Sequence, residues 1–255
     1  MKYLLLICTV IVTLIGAAQA QDNTQKAIAF NDQGVAAYEA KNYEPAIDLF
    51  DQAVRLRPGY ATAYYNLGTT YLHLKQFEKA AGAFQKAIEL YPAYAEAYNQ
   101  LGVVHTENAQ YEKAMDAFRE SVRFKPTGAM AFYNMGCIYN RLGKFKPAVE
   151  ALKRAAAFGK DDADIRLNLG YAYSREKRYD EAIAEIRRAA EFEPENEAVQ
   201  FFLGGLYLQV NDKQAALARY AALRSMDEQL AQRLYQAIYA DKLVFVSYDD
   251  LSHSK

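Results

Sequence analysis

The sequence has 255 residues, with 30 Lys and Arg against 31 Asp and Glu and a formal net charge of −1. So even a balance offers no basic track for a polyanion, which argues against nucleic acid as the partner. There are 2 cysteines; one, Cys8, lies in an N-terminal apolar run, so the remainder has no cysteine pair for an intramolecular disulfide and must be held by packing.

The chain opens with Met1 and Lys2, followed by an apolar run over Tyr3–Ile15, then Gly16 and "AAQA". This is the pattern of a secretory signal peptide over residues 1–20, cleaved after Ala20. The run is short against the roughly 20 residues that span a bilayer, so no transmembrane segment is expected in the mature chain. Ile7 precedes Cys8 where a lipoprotein signal carries a small residue, so Cys8 reads as part of the apolar run. Export to the periplasm or the extracellular space is the expected localisation, and the absence of any N-x-S/T sequon favours a bacterial envelope. Residues 21–26 form a short extension.

From residue 27 onward the chain repeats. Gly34, Gly68, Gly102, Gly136, Gly170 and Gly204 recur every 34 residues without insertion or deletion. Twelve residues after each glycine stands an alanine, from Ala46 to Ala216. Sixteen after come Phe50, Phe84, Phe118, Leu152, Ile186 and Tyr220. Nine after come Tyr43, Phe77, Tyr111, Phe145 and Tyr179, then Lys213 as the first break. Four before come Phe30, Tyr64, Tyr98 and Phe132, and then Arg166 and Gln200 depart. The small residue nineteen past the glycine is kept until Leu223. The sixth unit is therefore degenerate.

Within a unit the spacing predicts two helices, the first carrying the glycine and the second the alanine, close-packed where side chains are small. Pro45 and Pro147 sit where a second helix begins, in a first turn that tolerates proline. Pro58, Pro92, Pro126 and Pro194 mark its end. In the fourth unit "FGKDD" replaces that proline, and Gly159 is expected to end the helix. After the sixth unit, "SMDEQLAQRLYQAIYAD" reads as one amphipathic helix over 225–241. Ser225 and Glu228 have capping-box spacing, and Leu230, Leu234 and Ile238 form a stripe. It suits a terminal cap. Residues 242–255 form a polar-ended tail whose "LVFVSY" (Leu243–Tyr248) has strand character and is a candidate for self-association.

This pattern resembles the tetratricopeptide repeat over most of the chain, as units 27–60, 61–94, 95–128, 129–162, 163–196 and the degenerate 197–230. The resemblance implies an all-α fold, a right-handed α-solenoid of antiparallel helix hairpins with a C-terminal capping helix. It also implies a concave groove, lined by the residues three before each glycine and one, four and five after it. Here those rows contain Tyr65, Tyr133, Arg141, Leu167, Tyr171, Arg175, Phe201 and Leu208, with the aromatic floor and two arginines towards the C-terminal end. An extended or helical peptide with apolar anchors and an acidic group suits such a surface. The members that clamp a partner's C-terminal carboxylate need a lysine three before the glycine. No unit has one, so that specialisation is not expected.

Catalytic chemistry has little to stand on. His73, His105 and His253 have no Cys, His, Asp or Glu at metal-ligand spacing. His105 replaces a tyrosine found at the same repeat position elsewhere and reads as a packing residue. Cys137 reads as a small neutral residue on a first helix. There is no nucleophile elbow and no phosphate-binding glycine loop. No catalytic residue, metal or cofactor is expected. The reading is a non-catalytic protein- or peptide-binding scaffold or adaptor acting in the cell envelope. A regulatory or substrate-presenting subunit of an envelope enzyme complex, or a self-assembling structural protein, stays open as an alternative.

Overall fold

The computed structural model describes residues 2–159 and 162–240, with side chains for 19–159 and 162–239. The tail 242–255 with the self-association segment Leu243–Tyr248 lies outside that description, and the signal-peptide run up to residue 18 is described in its backbone alone. All regular structure among the described residues is helical. The helices form two compact units, Met1–Phe124 and Lys125–Lys255.

The first unit contains α1 (Lys2–Glu39), α2 (Tyr43–Leu56), α3 (Ala61–His73), α4 (Phe77–Leu90), α5 (Ala95–Glu107) and α6 (Tyr111–Phe124). These pair as hairpins α1–α2, α3–α4 and α5–α6, and each second helix then packs on the next first helix. The second unit contains α7 (Ala129–Arg141), α8 (Phe145–Phe158), α9 (Ala163–Arg175), α10 (Tyr179–Phe192), α11 (Glu197–Gln209), α12 (Lys213–Leu223) and α13 (Glu228–Ala240). Three hairpins follow the same rule, and α13 packs on both α12 and α11. Among the described residues no helix is long and apolar enough to cross a membrane.

The repeat-defining glycines have a specific steric role. A Cβ at Gly34, Gly68 or Gly102 would lie 2.6, 2.8 or 2.5 Å from the ring of Phe50, Phe84 or Phe118. At Gly136 and Gly170 it would lie 2.4 Å from Leu152 and Ile186. Each glycine therefore receives the residue sixteen positions later, on the second helix of its own hairpin. The alanines twelve past the glycine are buried as well. The close approach is thus of a glycine to a bulky side chain, with the alanine packed nearby.

The sixth hairpin solves the same problem differently. A Cβ at Gly204 would lie 2.5 Å from Leu234 of α13, and Tyr220 is not among its nearest neighbours. Leu234 is fully buried in a cluster with Phe201, Ala216, Leu223, Ala231 and Ile238. The stripe on the expected cap is real, but its N-terminus differs from the capping-box expectation. The helix starts at Glu228, and the Asp227 carboxylate accepts hydrogen bonds from the backbone N–H of Gln229 (2.7 Å) and Leu230 (2.9 Å). Ser225 instead donates to the Ala222 carbonyl at 2.9 Å. Aspartate is as good an N-cap as serine, and its position one residue before Glu228 suits the dipole as well.

Helix ends follow the prolines, with α2, α4, α6 and α10 each stopping two residues short of one. Gly159 follows α8 as expected, but with φ −108° rather than a left-handed conformation. Its lack of a side chain serves a close approach: a Cβ there would meet Ile165 at 3.0 Å and Ala129 at 3.2 Å.

Left-handed conformations appear elsewhere, at one unpredicted position. Lys41, Lys75, Ala109, Gly143, Lys177 and Asn211 all have φ between 54° and 68°. They stand seven residues after the glycine in all six hairpins. In each, the next residue's N–H bonds back to the carbonyl five before it, as in Asn42 to Ala37 (2.9 Å) and Gln110 to His105 (2.8 Å). This is a Schellman closure of the first helix. A non-glycine residue there carries about 1–2 kcal/mol of strain. Ala109→Gly should therefore raise stability by about 0.5–1 kcal/mol in urea unfolding, and Gly143→Ala should lower it by about 1–2 kcal/mol. Midpoints that move together, or not at all, would contradict the turn assignment.

Candidate partner-binding faces

Each first helix presents one face to its own hairpin and another that carries the rows expected to line a groove. In the first unit, Tyr65 on α3 is half-buried, its ring 5.1 Å from Tyr94 and 5.8 Å from Phe84. Leu72 packs on the Phe84–Leu101 cluster. Tyr38, Tyr43 and His73 form a separate aromatic group, with His73 4.2 Å from Tyr43 and 6.1 Å from Tyr38. Partial burial pushes the Tyr38 and Tyr94 hydroxyls above their ordinary acidity range, reinforced by neighbouring tyrosines. His105 is half-buried, and its Nδ1 lies 2.9 Å from Gln110 Oε1.

The other seven expected groove residues all belong to the second unit, and the structure separates them into two groups. Leu167, Tyr171 and Phe201 are 3, 3 and 2% exposed. They are packing residues rather than an open floor. The Tyr171 ring lies 6.2 Å from Phe145 and 6.4 Å from Phe202. Phe201 is enclosed by the α12–α13 cluster, with the Arg233 guanidinium 4.8 Å above its ring, and Leu208 packs on the same cluster. The chain's own terminal helix therefore takes up the apolar anchors of α11.

Tyr133 stays half-exposed, and Arg141 and Arg175 are exposed. Arg175 is braced from two sides: its Nη1 donates to the Tyr171 hydroxyl at 2.9 Å, and its guanidinium lies 4.7 Å over the Phe145 ring. Holding a guanidinium between a hydroxyl acceptor and an aromatic ring leaves its remaining N–H groups for a planar acidic partner and removes much of the rotamer entropy otherwise lost on binding.

A polar seam underlies this face. Asn140, 3% exposed, donates through Nδ2 to the Asn168 carbonyl at 3.1 Å. The Cys137 thiol lies 3.6 Å from Asn168 Oδ1, and Asn168 Nδ2 donates to the Asp164 carbonyl at 3.0 Å. In the first unit, Asn66 Nδ2 donates to Asn31 Oδ1 at 2.9 Å. Side-chain amides thus bridge successive first helices where resemblance placed groove residues.

The departures at Arg166 and Gln200 have partners as well. Arg166 meets Glu185 at 2.7 Å, with their side chains only 12 and 14% exposed. Gln200 Oε1 accepts from Arg219 Nη1 at 3.0 Å. Glu185 and Arg219 stand fifteen after their glycines, where earlier units have Leu49, Ala83, Ala117 and Ala151. Loss of the aromatic and gain of the charge occur together, a signal the sequence carried in two positions read separately. Among the described residues no group of three His, Cys, Asp or Glu is arranged to hold a metal.

Comparison with known proteins agrees with this architecture. No curated protein matches the chain in sequence. Among solved structures, Pseudomonas aeruginosa pilF is similar at TM-score 0.74 and 19% identity, covering 87% of this chain and 100% of its own. PilW, described as a widely conserved type IV pilus biogenesis factor, gives TM-score 0.70 and 20% identity, over 82% of this chain and 98% of its own. YrrB, described as a TPR protein with an unusual peptide-binding site, gives TM-score 0.63 and 24% identity, over 73% and 97%. At these identities the likeness concerns the fold. A tetratricopeptide repeat family model matches residues 14–61, 31–95, 65–129 and 133–197. With most of its length matched and the hairpins built as described, the chain belongs to the tetratricopeptide repeat family.

Proposed function

We propose that the protein is a non-catalytic scaffold or adaptor in the cell envelope, and that it captures an acidic or aromatic segment of a protein partner on the α7–α9 face. The observation that carries this is Arg175, exposed yet fixed by the Tyr171 hydroxyl and the Phe145 ring. Tyr133 and Arg141 lie on the neighbouring first helix of the same unit. Family membership supports protein binding as the class of activity. The signal-like N-terminus supports the envelope, and the pilus-biogenesis description of PilW is compatible with it.

The test is a pull-down from envelope extract with the wild type and a Tyr133→Ala/Arg175→Ala variant. Partners should be retained at least about tenfold less well by the variant at unchanged helicity, the loss expected from one charge-assisted contact plus an aromatic one. Undiminished capture would remove the site. Phe201→Ala is the wrong probe for this face, because it would open the α12–α13 core.

A further inference from the structure

The break in the repeat at Gln200 leaves a cavity in the second unit that the groove reading does not use. It is open, about 400 Å³, and lies between α10, α11 and α12, with Arg187, Glu191, Gln200, Leu203, Tyr207 and Arg219 among its lining. Gln200 is 4% exposed and bonded at both ends of its amide, donating to the Pro194 carbonyl at 2.9 Å and accepting from Arg219.

Arg219 is the anomaly. Its counterpart in the preceding hairpin, Glu185, faces an arginine and forms a nearly buried ion pair. Arg219 faces a neutral amide instead. Its Nε is buried with no acceptor among the protein atoms. Among the described residues no carboxylate lies within ion-pair distance of it. Glu191 lines the same cavity without closing on it. A buried N–H of a cationic group is ordinarily met by an acceptor, since leaving it without one is costly.

From this we infer that the cavity is a carboxylate-binding site, with Arg219 as the anchor and Arg187 as a second cation at the rim. A planar carboxylate matches the guanidinium fork. Leu203 and Pro194 give an apolar wall for the methylenes that carry it. Glu191 disfavours a phosphate dianion, which concentrates two charges on the one group held at the anchor, whereas a dicarboxylate presents a single charge there and carries its second farther along the chain. Two sources have this chemistry: a free small dicarboxylate, and an acidic side chain of a partner. The site shares no residue with the α7–α9 face and does not rest on that proposal.

Calorimetric titration of the full chain with succinate, at constant ionic strength, should give saturable binding. The ¹⁵N–¹H resonance of Arg219 Nε should shift along the same isotherm. Arg219→Gln should weaken binding at least about tenfold, as expected for a lost hydrogen bond to a charged group. Arg187→Gln, on the exposed rim, should weaken it by a smaller factor without touching the core, and Glu191→Gln should strengthen it. An acetylated, amidated tripeptide with a central glutamate distinguishes the sources: tighter binding than succinate assigns a protein partner, weaker binding a free metabolite. Absence of saturation with both probes, equal affinity in a folded Arg219→Gln chain, or inorganic phosphate binding as tightly as succinate would each overturn the assignment.

Discussion

Gly68→Leu should destabilise the first unit by about 3 kcal/mol or more, the upper end of what over-packing costs. Even a Cβ at Gly68 would stand 2.8 Å from two ring atoms of Phe84, whose side chain is fully buried. That ring cannot swing aside, because Tyr65 lies 5.8 Å from it and the α4–α5 cluster encloses it. Gly82, on α4 of the same hairpin, is the control. Nothing lies within 4 Å of a Cβ built there. Gly82→Ala should stabilise by about 0.5–1 kcal/mol, the helix-interior difference between glycine and alanine. Two helical glycines fourteen residues apart thus have opposite predicted signs in thermal or urea unfolding. A melting temperature unchanged in Gly68→Leu would refute the close-contact account.

Leu234→Ala should cost about 2–5 kcal/mol, the range for deleting a buried leucine side chain. The effect should be confined to the second unit. Leu234 fills the space over Gly204 and closes the cluster around Phe201, so its removal opens a cavity that α11, α12 and α13 all line. Hydrogen exchange should show protection lost in those three helices while α3 and α4 keep theirs. Protection lost only within α13 would mean that the helix is an appendage rather than part of the sixth hairpin's core. Tyr235→Ala, on the 39% exposed side of the same helix, should have a much smaller effect.

The hairpin pattern was legible because its determinants are steric and recur at fixed spacing. Glycine, alanine and the residue at sixteen define each pair of helices, and prolines mark the ends. The left-handed turn residue was not legible, since Lys, Ala, Gly and Asn all occupy it and its backbone bonds depend on no side chain. The candidate site was only partly legible. Repeat position placed Tyr133, Arg141 and Arg175 on an accessible face. It could not reveal that α13 would cover Phe201 and Leu208, because that depends on where a non-repeating helix docks. Nor could it pair Arg166 with Glu185, or Gln200 with Arg219, because both residues of each pair depart from the pattern.

The contact over Gly204 also bears on how such a chain can grow. The first five hairpins each seal their own glycine with a residue from the same 34-residue unit, so a duplicated copy arrives with its closure included. The sixth takes its closure from Leu234, thirty residues downstream and beyond the unit boundary. A duplication of 197–230 alone would deliver an unsealed hairpin. A copy of the sixth hairpin that keeps its closure therefore has to carry residues 197–240 as a single block.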